Sequence, residues 1–330
     1  MEEAEIKKQI EDAKLAFEQS KNPENSKNSG LGWETDEHAK LGPKVDIYMR
    51  PQGYSMTYGE IVALAGDWFE TPEDLINASK EKIDAILGGE GVDDRPYNKE
   101  LYNEAFGEMA TIALTNTSHF SPQNIETWKK FKAQAEDYAM KAFHSHTITL
   151  TKDVVNDYLK GGDLEIRNAF LYNAFADHFL SDSFSAGHIR TPAKVMRENP
   201  ERIEVGRESK ILNGALFIAQ HFPKGTTTQV FLIYAGVLIK EMHDEDGKNG
   251  LNVQSSNGKK WRAYGDGRLE TSENKENYDL VKKAVDNSAE SIYYILQTGR
   301  KTPTIIADIE SSVPYASNDN SPPMWKVKTS

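Results

Sequence analysis

Residues 163–188 read DLEIRNAFLYNAFADHFLSDSFSAGH. Asp163 is a helix N-cap, and Leu171, Phe175, His178 and Asp182 follow at i, i+4, i+7 and i+11. The stretch therefore predicts a helix to about Asp182 whose apolar, core-facing stripe carries an imidazole and a carboxylate. Burying that pair is costly unless something compensates. A divalent metal does so, because a neutral imidazole and a carboxylate four residues apart on one helical face reach the same ion. His188 falls about 240° further round an unbroken helix than Asp182, so it cannot share that face. The intervening Ser183-Phe184-Ser185-Ala186-Gly187 supplies the small residues needed to leave the helix and turn His188 back toward a neighbouring ion. A single buried histidine reads as a hydrogen-bonded core residue; the H-x3-D-x5-H spacing shifts the reading to metal.

Working outward, the chain is a succession of helical signals and the fold class is mainly α. Thr57 to Phe69, Pro72 to Leu87 and Asn98 to Thr115 are apolar at helical spacing. Ser121 reads as an N-cap before Pro122, opening a helix to about Phe143 with Trp128, Phe131, Ala135 and Tyr138 on one stripe. Thr151 or Asp153 caps a short segment stopped by Gly161-Gly162. Further helices are expected at Gly206 to His221, Thr227 to His243, and Asn277 to Thr298, the last closed by Gly299. Only Leu251 to Tyr264 looks extended, as one small β-hairpin turning at Ser256-Asn257-Gly258. Domain organisation follows: residues 1–32 form an N-terminal extension or linker, 33–310 the helical metal-binding domain, and 311–330 an irregular tail rich in Ser, Asn and Pro.

Of the 330 residues, 38% are hydrophobic and 10% aromatic, enough to build a core. No apolar run approaches the roughly 20 residues that cross a bilayer. Net charge is -12 with no Lys/Arg block, which argues against binding duplex nucleic acid. With no cysteine, thiolate zinc sites, disulfides and Cys nucleophiles are excluded, so any metal is held by His, Asp and Glu. Met1 to Gly30 lacks the apolar stretch of a secretory signal.

The run Ala176-Asp177-His178-Phe179-Leu180-Ser181-Asp182, ending in Gly187-His188, resembles the central motif of the zinc-dependent phospholipase C family and the related single-strand-specific zinc nucleases, and the likeness extends in order from about Trp33 to His243. It implies an all-helical phospholipase C/nuclease-like domain holding two or three Zn2+ ions in a cleft. Asp67, His119, His178 and Asp182 would bind the first ion and His188 would belong to a second. Trp33 and His38, with the bridging Asp182, would hold a third through the W-x4-H spacing of the nucleases. Trp33 is internal here, so unless residues 1–32 are removed its nitrogen is an amide, a poor zinc ligand. The family's histidine followed four residues later by a carboxylate, which completes the second ion, has no counterpart; His243 with Asp244 or Asp246 is the best substitute and reads equally well as a polar helix end.

The resemblance implies a metal-dependent phosphodiester hydrolase acting at a membrane surface on a phosphatidylcholine-like phospholipid, with single-strand nuclease or nucleotidase activity as the alternative in the same chemical class. Asp177 or Asp67 would orient the attacking water. A monomer is expected, and family likeness favours export. A non-catalytic zinc protein is the reading from another class, supported by the missing partner for His188.

Overall fold

The computed structural model describes residues 35–49, 53–92, 94–199, 203–205, 224–265, 267–323 and 325–327. In chain order its elements are α1 (Thr35–His38), β1 (Asp46–Met49), β2 (Tyr54–Thr57), α2 (Tyr58–Leu64), α3 (Pro72–Asn77), α4 (Lys80–Gly89), α5 (Lys99–Thr115), α6 (Gln123–Ser145) and α7 (Lys152–Gly161). Then follow α8 (Leu164–Asp182), α9 (Ala186–Arg190), α10 (Ala193–Glu198), β3 (Ile203–Val205), α11 (Lys224–Asn249), β4 (Leu251–Ser255) and β5 (Lys260–Ala263). The chain closes with α12 (Lys275–Thr298), α13 (Pro303–Ser312), β6 (Pro314–Ala316) and β7 (Trp325–Val327). The mainly α class is as expected.

Helix α8 is the axis of the molecule. The Asp163 carboxylate accepts the Ile166 N–H at 2.9 Å and so starts it. From Ile166 to Asp182 every residue is buried, not only one stripe. A helix that is covered on all sides needs neighbours all round, and α6, α12 and α2 supply them. Phe170, Phe175, Phe179, Trp128 and Tyr58 fill the space between them and are among the largest fully buried side chains. Each contributes on the order of 2–3 kcal/mol by leaving water.

Several boundaries differ from the sequence expectation, each for a local reason. The first helix stops at Leu64 rather than Phe69, because Ala65 is extended and Gly66 takes φ +73. The stretch 72–87 is two helices: Ala78 is extended and the Ser79 hydroxyl caps a new start at Lys80. Ser121 does not cap α6; Pro122 occupies the cap position and no side chain bonds there. Helix α11 runs on to Asn249, past His243. The expected helix at 206–221 and everything before Thr35 lie outside the described residues.

The strand content exceeds one hairpin. The predicted hairpin is present as β4 and β5, and Gly258 takes φ +88 in its turn. The tail adds β6 to the β4 edge, pairing Val253 with Ala316, while β7 pairs antiparallel with β3. The 311–330 segment is thus partly structured. A second hairpin, β1–β2, leads into α2 through a capping box: the Thr57 hydroxyl accepts the Glu60 N–H and the Glu60 carboxylate accepts the Thr57 N–H.

Candidate metal centre

Six segments converge on the C-terminal end of α8. His178 and Asp182 are fully buried, one turn apart, as the i, i+4 spacing requires. The turn after α2 brings Asp67, the turn before α6 brings His119, and α1 brings His38. Ser183 and Ser185 let the chain leave α8 and begin α9, which returns His188; α11 carries His243.

Asp182 lies between the two halves of this cluster, one oxygen turned to each. Its Oδ2 accepts from His119 Nδ1 at 2.7 Å and lies 3.3 Å from His178 Nε2. Its Oδ1 lies 3.4 Å from His188 Nδ1 and 3.6 Å from His38 Nε2, and makes no hydrogen bond. Asp67 closes the first half, its two oxygens each 3.7 Å from a ring nitrogen, one of His119 and one of His178. The Asp67 side chain is 25% exposed where Asp182 and His178 are buried, so it forms the solvent-facing edge. At the far end the His188 and His243 rings are 4.9 Å apart, centroid to centroid.

Hydrogen bonds set the tautomers, and these decide what the cluster can hold. His178 Nδ1 donates to the Val62 carbonyl at 2.9 Å. Burial holds the His178 ring neutral, well below its usual pKa. Its one proton is therefore on Nδ1, and the Nε2 lone pair, which accepts from His119 Nδ1 at 3.1 Å, is turned toward the space between Asp67 and Asp182. His38 repeats the arrangement. The Ser181 hydroxyl donates to the His178 carbonyl at 2.7 Å and accepts from His38 Nδ1 at 3.0 Å. Burial lowers the His38 pKa to about 4, so its Nε2 also turns a lone pair to Asp182 Oδ1. Lone pairs facing carboxylate oxygens repel unless a cation sits among them.

In the ion-free protein one proton serves as that cation. Burial alone would lower His119, but Asp67 and Asp182 overcome it and raise its pKa to about 9. Desolvation raises Asp67 to about 6, against the pull of His119. Asp182 is the reverse case: burial opposes its charge, yet His178, His188 and His119 hold it well below the usual carboxylate range. One imidazolium against two carboxylates leaves the site short of positive charge. Among the described residues, two groups have ligand atoms close enough to hold a metal: His38, His178 and Asp182, and Asp67, His119 and His178.

Glycine makes room for these rings. A Cβ on Gly66 would lie 2.6 Å from His119 Cε1 and 2.8 Å from His178 Cδ2, and one on Gly187 would lie 2.3 Å from His243 Cδ2. Comparison with protein-family models, curated proteins and solved structures returned no match. The assignment of this centre accordingly stands on its own donor set.

The remaining candidates fall elsewhere. Asp177 points away from the cluster: its carboxylate accepts from Tyr58 Oη at 2.5 Å, Asn173 Nδ2 at 3.1 Å and Trp128 Nε1 at 3.2 Å. Adjacent residues of a helix diverge by about 100°, so Asp177 does not face the cluster that His178 faces, and the expected role in orienting water does not fit its position. Asp246 is bound side-on by Arg190, with Nε to Oδ2 at 2.9 Å, and is not a ligand. Asp244 accepts from His243 Nδ1 at 3.1 Å, which makes it a support for the ring. Trp33, and with it the third ion of the family pattern, lies outside the described residues.

Two features were not read from the sequence. Asn116 lies against the centre's outer edge, Nδ2 3.2 Å from His119 Nε2, with Oδ1 accepting the Ser118 N–H at 2.9 Å. Lys132 is buried and donates to the Ser288 carbonyl at 2.6 Å, to Ser291 Oγ at 2.7 Å and to Asn173 Oδ1. Its place four residues after Trp128, on the apolar stripe of α6, was the available signal.

Proposed function

We propose that the chain is a zinc-dependent phosphodiester hydrolase whose centre is built from Asp67, His119, His178, Asp182 and His38, with His188 and His243 at its far end. The observation that carries this reading is the pair of buried lone pairs, on His178 Nε2 and His38 Nε2, turned toward the oxygens of Asp182. Imidazole and carboxylate donors without thiolate suit zinc, and the H-x3-D-x5-H pattern resembles the zinc phospholipases C and nucleases.

Zinc held there supplies Lewis acidity toward phosphoryl oxygens and brings water close to neutral acidity. The protein's own part is positional. Asp182 spans the two halves and keeps them in register. Val62, Ser181 and Asp244 orient His178, His38 and His243 through the ring nitrogen turned away from the ions. Asp67, the exposed member, stands where water and substrate approach and is the carboxylate placed to accept a proton from attacking water. Net charge -12 favours a zwitterionic lipid such as phosphatidylcholine over a polyanionic strand.

Release of phosphocholine from phosphatidylcholine vesicles, measured beside hydrolysis of single-stranded DNA, tests the reading. We expect lipid turnover that a chelator abolishes and zinc restores. Turnover of DNA alone would move the assignment to the nuclease class, and inactivity on both after zinc loading would overturn it.

A further inference from the structure

Away from the metal centre, the β5–β4–β6 sheet turns one face to solvent. Burial alternates along β4 and β5, so Leu251, Val253, Trp261 and Ala263 face the core while Asn252, Gln254, Lys260 and Arg262 face out. The register sets Lys260, Gln254 and Tyr315 in one row across the three strands, about 10 Å from end to end. The Tyr315 ring at the end of that row is 49% exposed.

The tail after β6 walls this face. The Ser317 N–H donates to the Asn252 carbonyl at 2.9 Å, and the Asn320 side chain brackets the Asn252 backbone, accepting its N–H at 2.8 Å and donating to its carbonyl at 2.7 Å. Asn318 and Asp319 are thereby held beside Asn252 and Gln254, and the cleft between them has a volume of about 550 Å³. That is the size of a small-molecule site. Asn252 is already engaged, its Oδ1 accepting from Arg262 at 2.9 Å, and Arg262 also donates to the Asn249 carbonyl at 2.7 Å. The side chains of Gln254, Lys260, Asn318 and Tyr315 have no hydrogen-bond or ionic partner among the described residues.

The lining decides the ligand class. Most small-molecule sites are apolar with a few polar groups, whereas this one is walled largely by amides, a hydroxyl and one pair of opposite charges, Lys260 and Asp319. The charges cancel, which gives an ion no net attraction. An amide both donates and accepts, as a sugar hydroxyl does, and adjacent hydroxyls match its paired N–H and C=O. The exposed Tyr315 ring adds an apolar face on which the C–H side of a sugar ring can stack. We propose that this face binds a short, neutral oligosaccharide, stacked on Tyr315 and hydrogen-bonded by Gln254, Asn318 and Asp319. The site takes no part in the metal chemistry and stands independently of it.

The test screens full-length protein against arrayed neutral oligosaccharides of glucose, mannose, galactose and N-acetylglucosamine, beside sulfated and sialylated glycans, and measures the best binder by calorimetry. A neutral oligosaccharide is expected to bind, with an affinity that salt at about 0.5 M and a chelator both leave unchanged. Tyr315→Ala weakens it about tenfold and Gln254→Ala about fivefold, with the melting temperature held because neither side chain has a partner to lose. Asn318→Ala, in the exposed tail, weakens binding in the same direction without touching the sheet. Binding of the charged glycans alone, or of no glycan, would overturn the inference, as would affinity untouched in the Tyr315→Ala/Gln254→Ala double variant. Loss of binding on chelation would overturn it too, by placing the ligand at the metal centre.

Discussion

Gly66 shows how tightly single residues specify the centre. Its φ of +73 is the left-handed region, and its missing Cβ is the space that His119 and His178 occupy. Gly66→Ala should therefore lose about 1–2 kcal/mol from the backbone and a further 1–3 kcal/mol, roughly, from overpacking. Urea unfolding measures the summed loss, and zinc content shows whether the rings were displaced. His119 gives a pH prediction at the same scale. Its pKa of about 9 in the ion-free protein, against 6.5 when unfolded, means that its stabilising contribution is present below pH 6.5 and is lost as pH rises through 9. An ion that binds here must displace that proton. At fixed free zinc, the gain in stability on zinc binding should grow by about 1.4 kcal/mol per pH unit between 6.5 and 9, then level off. Thermal unfolding with and without zinc at several pH values checks this, and a gain that is flat across the range would contradict it.

At the scale of elements, the polar network behind α8 ties the bundle together. Lys132 of α6 bonds to Asn173 of α8 and to Ser288 and Ser291 of α12, and Asp177 joins α8 to Tyr58 of α2 and Trp128 of α6. Burial lowers the Lys132 ammonium to about 8 and raises the Asp177 carboxyl to about 6, so each charge depends on the other's presence. Lys132→Met removes one partner and should cost about 3–5 kcal/mol, measured by chemical denaturation. A neutral or stabilising result would show that the pair is expendable. This network also marks where the sequence stops being legible. Helix starts at Asn98, Thr151 and Asp163 and the stop at Gly299 were readable because capping is a local event, decided within a few residues. Asp177 was misassigned because its partners come from residues 58, 128 and 173, and no local pattern announces them. The split of α3 from α4 was available in Ser79, a cap inside an otherwise continuous helical pattern.

Taken whole, the molecule is a mainly helical scaffold around one buried helix, with the centre at that helix's C-terminal end and short sheets at the periphery. No helix among the described residues is long and apolar enough to cross a membrane. The meeting of His178, Asp182 and His188 was legible in their spacing, whereas Asp67 and His119 were named only through the family resemblance. The engagement of Asp246 by Arg190 was not, because it depends on how α9 docks against α11. The same docking places His243 beside His188. Elemental analysis of zinc-saturated protein, freed of excess metal by rapid desalting, tests the central claim most directly. The account predicts two zinc ions per chain in the wild type and one in His188→Ala; a wild-type chain that retains no zinc, and whose melting temperature a chelator leaves unchanged, would contradict it.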